Sequence, residues 1–189
     1  MAAALGTNTV FSATKPKRLE GHTSNVEQPI LYVQYIKSTL GETTESGDTY
    51  IIPHKFTSVK HINVTPLSST GLTTHAAFYL ADSAIISGPT QITTAATAGA
   101  STVVLTGLTA SANDTYNYAW LEITHASGNK QVVQITDFVT SSGLATLADP
   151  LTEDIGTTGT YYTIRGTLLT TTGAAATPRL SYEVVGTFE

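Results

Sequence analysis

The stretch WLEITHASGNKQVVQITDFV, residues 120–139, decides the fold class of this chain. Apolar and polar residues alternate over residues 120–124 and again over residues 131–139, and a period of two is typical of half-buried β-strands. The segment HASGNK between them supplies Gly128 and Asn129, which we expect at positive φ in a tight turn. The stretch therefore predicts a β-hairpin.

The same alternation extends over the rest of the chain. Residues 179–188 alternate strongly, with Leu180 and Tyr182 on one face. Further short apolar runs are separated by Gly, Pro and Asn, and the dipeptide Gly88-Pro89 is expected to end one of them. No apolar period of about 3.6 residues persists along the chain. We therefore expect an all-β protein whose main domain is an antiparallel β-sandwich, similar to a jelly roll.

The chain divides into three predicted parts. Residues 1–28 show little periodicity and are expected to form an extended N-terminal arm, which is either partly disordered or ordered on a neighbouring subunit. Residues 29–89 and 166–189 have the same style of strand and are expected to form the β-sandwich together. Residues 90–165 lie between them and are expected to be an inserted module, a small β-barrel or sandwich.

The composition limits the possible partners. Charged residues make up 12 % of the chain, about half the usual share of about 25 %, and 36 of the 189 residues are Thr. Such a surface is hydrated but repels neighbours weakly, which suits dense assembly. With a net charge of -5, the chain as a whole does not attract nucleic acid electrostatically. No apolar run approaches the ~20 residues that span a bilayer. We expect synthesis in a cytoplasm and neither nucleic acid nor membrane as a partner.

Residues 93–166 resemble a small β module that recurs in structural proteins of tailed bacteriophages. The resemblance lies in the order and spacing of short motifs, each of which is common alone. The motifs are a lead-in of small residues (93–101), TVVL (102–105), ASAND (110–114), Tyr116-Asn117, Ile123-Thr124, the hairpin SGNKQ (127–131), VQITD (133–137), ATLADP (145–150) and GTYYTI (159–164).

The parts that flank this stretch resemble the β-sandwich of phage capsid decoration proteins, also called cement proteins. This resemblance implies a virion component that binds the outer surface of the capsid and bridges neighbouring capsid subunits. Its partners would be the major capsid protein and copies of itself, as a homotrimer. Two alternatives stay open: a phage tail tube, head-tail adaptor or fibre component, and a carbohydrate-binding module or adhesin.

The sequence contains no familiar catalytic or cofactor motif, whether HExxH, a nucleophile elbow, a P-loop or a dinucleotide fingerprint. We therefore expect no enzyme, no cofactor and no metal. His54 and His61 flank one predicted strand and could approach His75, but scattered histidines explain this pattern better than a metal site. His125 is expected at the surface of the hairpin loop.

Two further clusters have structural explanations. Asp149, Glu153 and Asp154 lack the D-x-D-x-D-G spacing of a calcium loop, and we expect a solvated turn. Trp120 and its neighbouring tyrosines are expected to pack in a core and not to stack on a sugar. An interaction surface is the better candidate site, because Tyr combines a large apolar ring with a polar tip. The candidate interface residues are Lys15, Lys17, Arg18, Tyr32, Tyr35 and Tyr182.

Overall fold

A computed structural model describes seven segments of the chain, and every regular element in them is a β-strand. The segments are residues 8–19, 30–40, 49–67, 77–80, 85–108, 113–172 and 179–188. Their strands are β1 (Asn8–Ala13), β2 (Lys17–Arg18), β3 (Tyr32–Leu40), β4 (Thr49–Ile52), β5 (Ser58–Pro66), β6 (Ala77–Leu80), β7 (Ile85–Gln91), β8 (Thr102–Val104), β9 (Trp120–Thr124), β10 (Lys130–Val139), β11 (Leu144–Leu147), β12 (Tyr161–Arg165), β13 (Thr167–Thr172) and β14 (Arg179–Thr187). The predicted all-β class is confirmed. None of these segments contains a helix long and apolar enough to cross a bilayer.

Two antiparallel sheets face each other as the predicted β-sandwich. One contains β1, β3, β14 and β5 in that order, with β2 also paired to β3, and the other contains β4, β13 and β6. Successive side chains of a strand point to opposite faces, and alternate residues of β14 are buried as predicted. The core between the sheets contains Ile36, Tyr50, Ile52, Phe56, Leu169, Leu180, Tyr182 and Val184.

The strands β7 to β12 form a third sheet, in the order β7-β12-β9-β10-β11-β8. The hairpin predicted from residues 120–139 is confirmed, since β9 pairs antiparallel with β10 and Leu121 lies opposite Val133. β10 pairs first with β9 and then with β11, and its register shifts between Ile135 and Asp137. A bulge bends its strand, and residues from both halves of the sheet share one core. We call β7 to β12 the six-stranded unit.

The strands β4 and β13 of the three-stranded sheet pack on both faces and lie between the two cores. In β4, Tyr50 and Ile52 belong to the sandwich core, whereas Ile51 belongs to the core of the six-stranded unit. In β13, Leu169 packs on the sandwich side and Leu168 packs against the other core. A strand buried on both faces is continuously apolar, which explains why β4 does not alternate.

The predicted boundary after residue 89 falls inside β7. This strand does not end at Gly88-Pro89 as expected but continues to Gln91 and pairs with β12, so it belongs to the six-stranded unit. Gly88 permits the pairing, because its φ is +98° and a side chain there would meet the backbone oxygen of Tyr162. The folding of residues 90–165 as a separate inserted module stays a prediction.

Residues 8–19 pair with the chain's own sheet. β1 pairs antiparallel with β3, and β2 places Lys17 opposite Val33. The backbone N–H of Leu19 donates to the carbonyl of Leu31 and extends this pairing. The predicted extended arm of residues 1–28 is therefore not confirmed over its described part, because this segment finds its partners within the same chain.

Candidate functional site

The outer face of the five-stranded sheet, the side opposite the sandwich core, is the candidate interaction surface. Tyr35 lies on it with 47 % of its surface exposed. The register places Glu183 beside Tyr35 and Asn63 beside Glu183, so these residues form one row across β3, β14 and β5. Lys37 and His61 lie on the same side in the neighbouring rows. The row gives the outer face an aromatic side chain flanked by polar groups.

The Glu183 carboxylate acts on the Tyr35 hydroxyl. A hydrogen bond between the Tyr35 hydroxyl and Glu183, together with the negative charge of that carboxylate, raises the pKa of Tyr35. In this bond the hydroxyl donates to the carboxylate. An exposed aromatic ring with its polar tip already oriented is a group that protein interfaces favour.

Three predicted interface residues, Lys15, Lys17 and Arg18, are exposed on the N-terminal segment beside the outer face. Lys17 lies on the same side of the sheet as Tyr35. The backbone N–H of Thr14 donates to the carbonyl of Tyr35 at 2.9 Å, and the Thr14 hydroxyl accepts from the Tyr35 N–H at 3.0 Å. These two bonds bring the basic segment and Tyr35 together.

The other two predicted interface tyrosines lie elsewhere. Tyr32 is half-buried, and its ring packs edge-on against Phe188 with the ring centroids 5.0 Å apart. Tyr182 is fully buried in the sandwich core, where burial raises its pKa. Its predicted place at an interface is wrong, because its side of β14 faces the core. Tyr182 therefore does not belong to the interaction surface.

A buried ion pair connects β9 with β12 inside the six-stranded unit, just before the chain enters the three-stranded sheet. Arg165, the last residue of β12, donates from Nε and Nη2 to Oε2 of Glu122 at 2.7 and 2.5 Å. Lys130 donates from Nζ to Oε1 of Glu122 at 2.9 Å. Burial alone would raise the pKa of Glu122, but the bonds from Lys130 and Arg165 outweigh it and the pKa is lowered. Glu122 therefore stays ionised where the two sheets meet.

His54 lies in the same region, and its side chain bonds to a residue that is distant in the sequence. It is fully buried just after β4, and its Nε2 lies 2.7 Å from Oγ1 of Thr167 at the start of β13. Burial, together with the positive charge of Arg165, lowers the pKa of His54 to about 3. The imidazole is therefore neutral at physiological pH and acts as a hydrogen-bonded core residue.

Trp120 also lies in this region, which we call the junction between the three-stranded sheet and the six-stranded unit. The Nζ of Lys55 lies 3.9 Å from the centroid of the Trp120 ring, a cation–π contact. Because Lys55 covers one face of the indole, that face is closed to a sugar ring. Tyr116, by contrast, is buried in the core of the six-stranded unit against Phe138, as predicted. The junction thus consists of this contact, the Glu122 ion pair and the His54 bond.

The candidate metal ligands are not brought together in the described residues. His54 is buried and His61 is exposed on the outer face, while His75 lies outside the described residues. No group of three or more potential metal ligands occurs in the part of the chain that the structure describes. Asp154 accepts a 2.7 Å bond from the backbone N–H of Ala98, so it connects two loops.

The hairpin loop differs from its prediction at two residues. Gly128 has the expected positive φ, but Asn129 does not, and His125 is buried and not at the surface. Glu153 accepts bonds from this loop, from Ser127 Oγ at 2.7 Å and from Asn129 Nδ2 at 2.6 Å. These bonds connect the hairpin to the loop that contains Glu153. In this predicted solvated turn, Asp149 and Asp154 are exposed and Glu153 is half-buried.

No protein-family model matches the chain, and no curated protein and no solved structure matches it. The function is therefore inferred from the outer face, the junction and the sequence. The resemblance of residues 93–166 to a phage β module stays an expectation from sequence.

Proposed function

We propose that this chain is a structural protein of a tailed-bacteriophage virion. It binds the outer surface of the capsid and stabilises it by bridging neighbouring capsid subunits. Its partners are the major capsid protein and copies of itself, assembled as a homotrimer, and its role is contact and not turnover. Synthesis takes place in the host cytoplasm before the protein joins the virion.

The junction is the observation that carries this proposal. A bridging protein must transmit force between two contact surfaces, so its parts should not rotate against each other. The three-stranded sheet contributes Ile51 to one core and Tyr50 to the other, and the Glu122–Arg165 pair lies buried beside it. Packed cores resist deformation. We therefore expect the sandwich and the six-stranded unit to move together, as bridging requires.

The outer face supports the proposal as a contact surface. Tyr35 is exposed there with its hydroxyl bonded to Glu183, and Lys17 and Lys37 lie on the same side of the sheet. Aromatic residues surrounded by polar groups are enriched in specific protein interfaces. Many copies on a symmetric shell need only a moderate affinity each, because multivalent attachment raises the overall affinity.

Composition and stoichiometry of purified virions test the proposal. We expect the chain in the particles at a copy number comparable with that of the major capsid protein, with label distributed over the shell. Absence from the particles would overturn the proposal. A small number of copies confined to the tail would also overturn it and would favour the tail component instead.

A matched pair of variants tests the outer face. Tyr35 on the outer face and Tyr161 on β12 are both exposed, by 47 % and 43 %. We expect Tyr35→Ala to lower the occupancy of shells that lack the native chain, by about tenfold in affinity. Tyr161→Ala should leave occupancy unchanged. Equal effects of the two substitutions would contradict a role for the outer face.

A further inference from the structure

The basic residues of the chain are concentrated on one sheet. Of its nine Lys and Arg residues, six lie on or between the strands of the five-stranded sheet, and all six are exposed. Glu183 is the sole acidic residue in the described part of that sheet. The six are Lys15, Lys17, Arg18, Lys37, Lys60 and Arg179. The described residues of this sheet therefore carry a net positive charge, although the chain as a whole is negative.

The six-stranded unit has the opposite charge. Its two basic residues, Lys130 and Arg165, are both paired with Glu122. Five further carboxylates remain, and they form no ion pair with a basic side chain in the described residues: Asp114, Asp137, Asp149, Glu153 and Asp154. The other seven acidic residues of the chain lie outside the described segments. The six-stranded unit therefore has an excess of negative charge.

Two of these carboxylates are exposed and free of the loop contacts described above. Asp137 lies in β10 opposite Thr146 of β11, and Asp149 follows shortly after the end of β11. We call Asp137 and Asp149 the acidic edge. Their substitution should leave the fold intact, whereas Glu153 and Asp154 connect loops.

We expect the outer face and the acidic edge of one chain to contact different molecules. The outer face is turned away from the three-stranded sheet, because the core lies between the two sheets. β10 and β11 are two and three strands removed from β12, which leads into the three-stranded sheet, at about 4.8 Å for each strand. No ion pair joins Lys17 or Lys37 to Asp137 or Asp149 within the described residues, so these charges are available to a second molecule.

We propose that the outer face of one copy binds the acidic edge of the six-stranded unit of a second copy, so that the chains associate head to tail. Such a heterologous contact closes into a ring or continues as a filament, and the homotrimer proposed above is one such ring. The inference rests on the proposed function only in using the outer face as a contact surface.

A second copy fits the outer face better than nucleic acid does. The net charge of -5 repels a polyanion as a whole, and the Glu183 carboxylate lies beside Tyr35. Double-stranded DNA presents about one negative charge for each 1.7 Å of its axis, so it would meet both repulsions. Two copies of this chain instead bring together charges of opposite sign.

Charge reversal in the purified full-length chain tests this inference. Lys17→Glu with Lys37→Glu reverses the outer face, and Asp137→Lys with Asp149→Lys reverses the acidic edge. Sedimentation velocity at low salt should show concentration-dependent association of the unmodified chain, weakened at high salt. Each double variant should weaken association by about tenfold or more. The variant that combines all four substitutions has the original net charge, and association should return.

Circular dichroism and thermal unfolding confirm that each variant is folded. The inference is overturned if the unmodified chain stays a 19.8 kDa monomer, if the double variants associate like it, or if the combined variant does not recover. Binding of duplex DNA that requires Lys17 and Lys37, without self-association, would also overturn it. No virion enters this experiment, so its failure is separate from a failure to find the chain in particles.

Discussion

Arg165 donates two hydrogen bonds to a single carboxylate oxygen of Glu122, and this pair lies buried where β12 leads into β13. Gly166 separates the two strands, so the ion pair immediately precedes the three-stranded sheet. The pair connects β9 with β12 by side chains as well as by the backbone ladder. We expect this region to hold the two parts of the molecule together, and the following predictions test it.

Glu122→Gln should destabilise the protein by roughly 3–5 kcal/mol, because it leaves the buried Arg165 cation without a counter-charge. Lys130→Gln is the matched control. The Lys130 side chain is 60 % exposed, and its loss should cost less than about 1 kcal/mol. Urea denaturation measures both changes. Equal costs would show that the buried Arg165 contact is not the important one.

His54→Gln should flatten the dependence of stability on pH. Unfolded His takes up a proton below about pH 6.5, whereas His54 in the fold, with its pKa lowered to about 3, does not. Stability is therefore lost as the pH falls from about 6.5 towards 3, by roughly 2–3 kcal/mol between pH 7 and pH 4.5. Denaturation at the two pH values should show a smaller loss for His54→Gln. His61→Gln, at an exposed position, should keep the full loss.

Gly166→Ala should destabilise the junction by roughly 2–5 kcal/mol. Gly166 has a φ of +153°, and an added Cβ would lie 2.8 Å from Cδ1 of Ile86 and 3.0 Å from Cγ2 of Ile51. Gly99→Ala is the control for backbone strain alone. Gly99 also has a positive φ, but nothing lies within 4 Å of its added Cβ, so it should cost about 1–2 kcal/mol. Equal melting temperatures would contradict the close packing at Gly166.

Ile51→Ala should destabilise the six-stranded unit although Ile51 lies in β4 of the sandwich. Its side chain belongs to the core of the six-stranded unit, and its truncation should cost about 2–5 kcal/mol. Hydrogen exchange should show faster opening of β9 and β10 as well as of β4. Faster exchange restricted to the sandwich strands would contradict the shared layer.

Local sequence patterns predicted much of the strand content. β9 and β10 form where the alternation of residues 120–124 and 131–139 predicts them, since alternation and turn residues define short strands without help from distant contacts. The sequence pattern did not distinguish the buried Tyr182 from the exposed Tyr35, because both are tyrosines in alternating strands. Alternation defines two faces but does not say which face meets the core.

The junction could not be predicted from the sequence. Glu122 and Arg165 are 43 positions apart, and His54 and Thr167 are 113 apart, so no local pattern relates them. Glu122 also lies at a polar position in the alternating pattern of β9, which predicts that its side chain is exposed. Its pairing with Arg165 permits it to be buried instead. The unbroken apolar run of β4 was the available signal, because it is typical of a strand buried on both faces.

The position of the chain in purified virions tests the central claim most directly. A particle reconstruction should show its density at symmetry-related sites on the outer surface of the capsid, in contact with more than one capsid subunit. It should also show the outer face of each copy against a neighbour. Particles that lack this density, or that contain the chain only in the tail, would contradict the claim that it bridges and stabilises the shell.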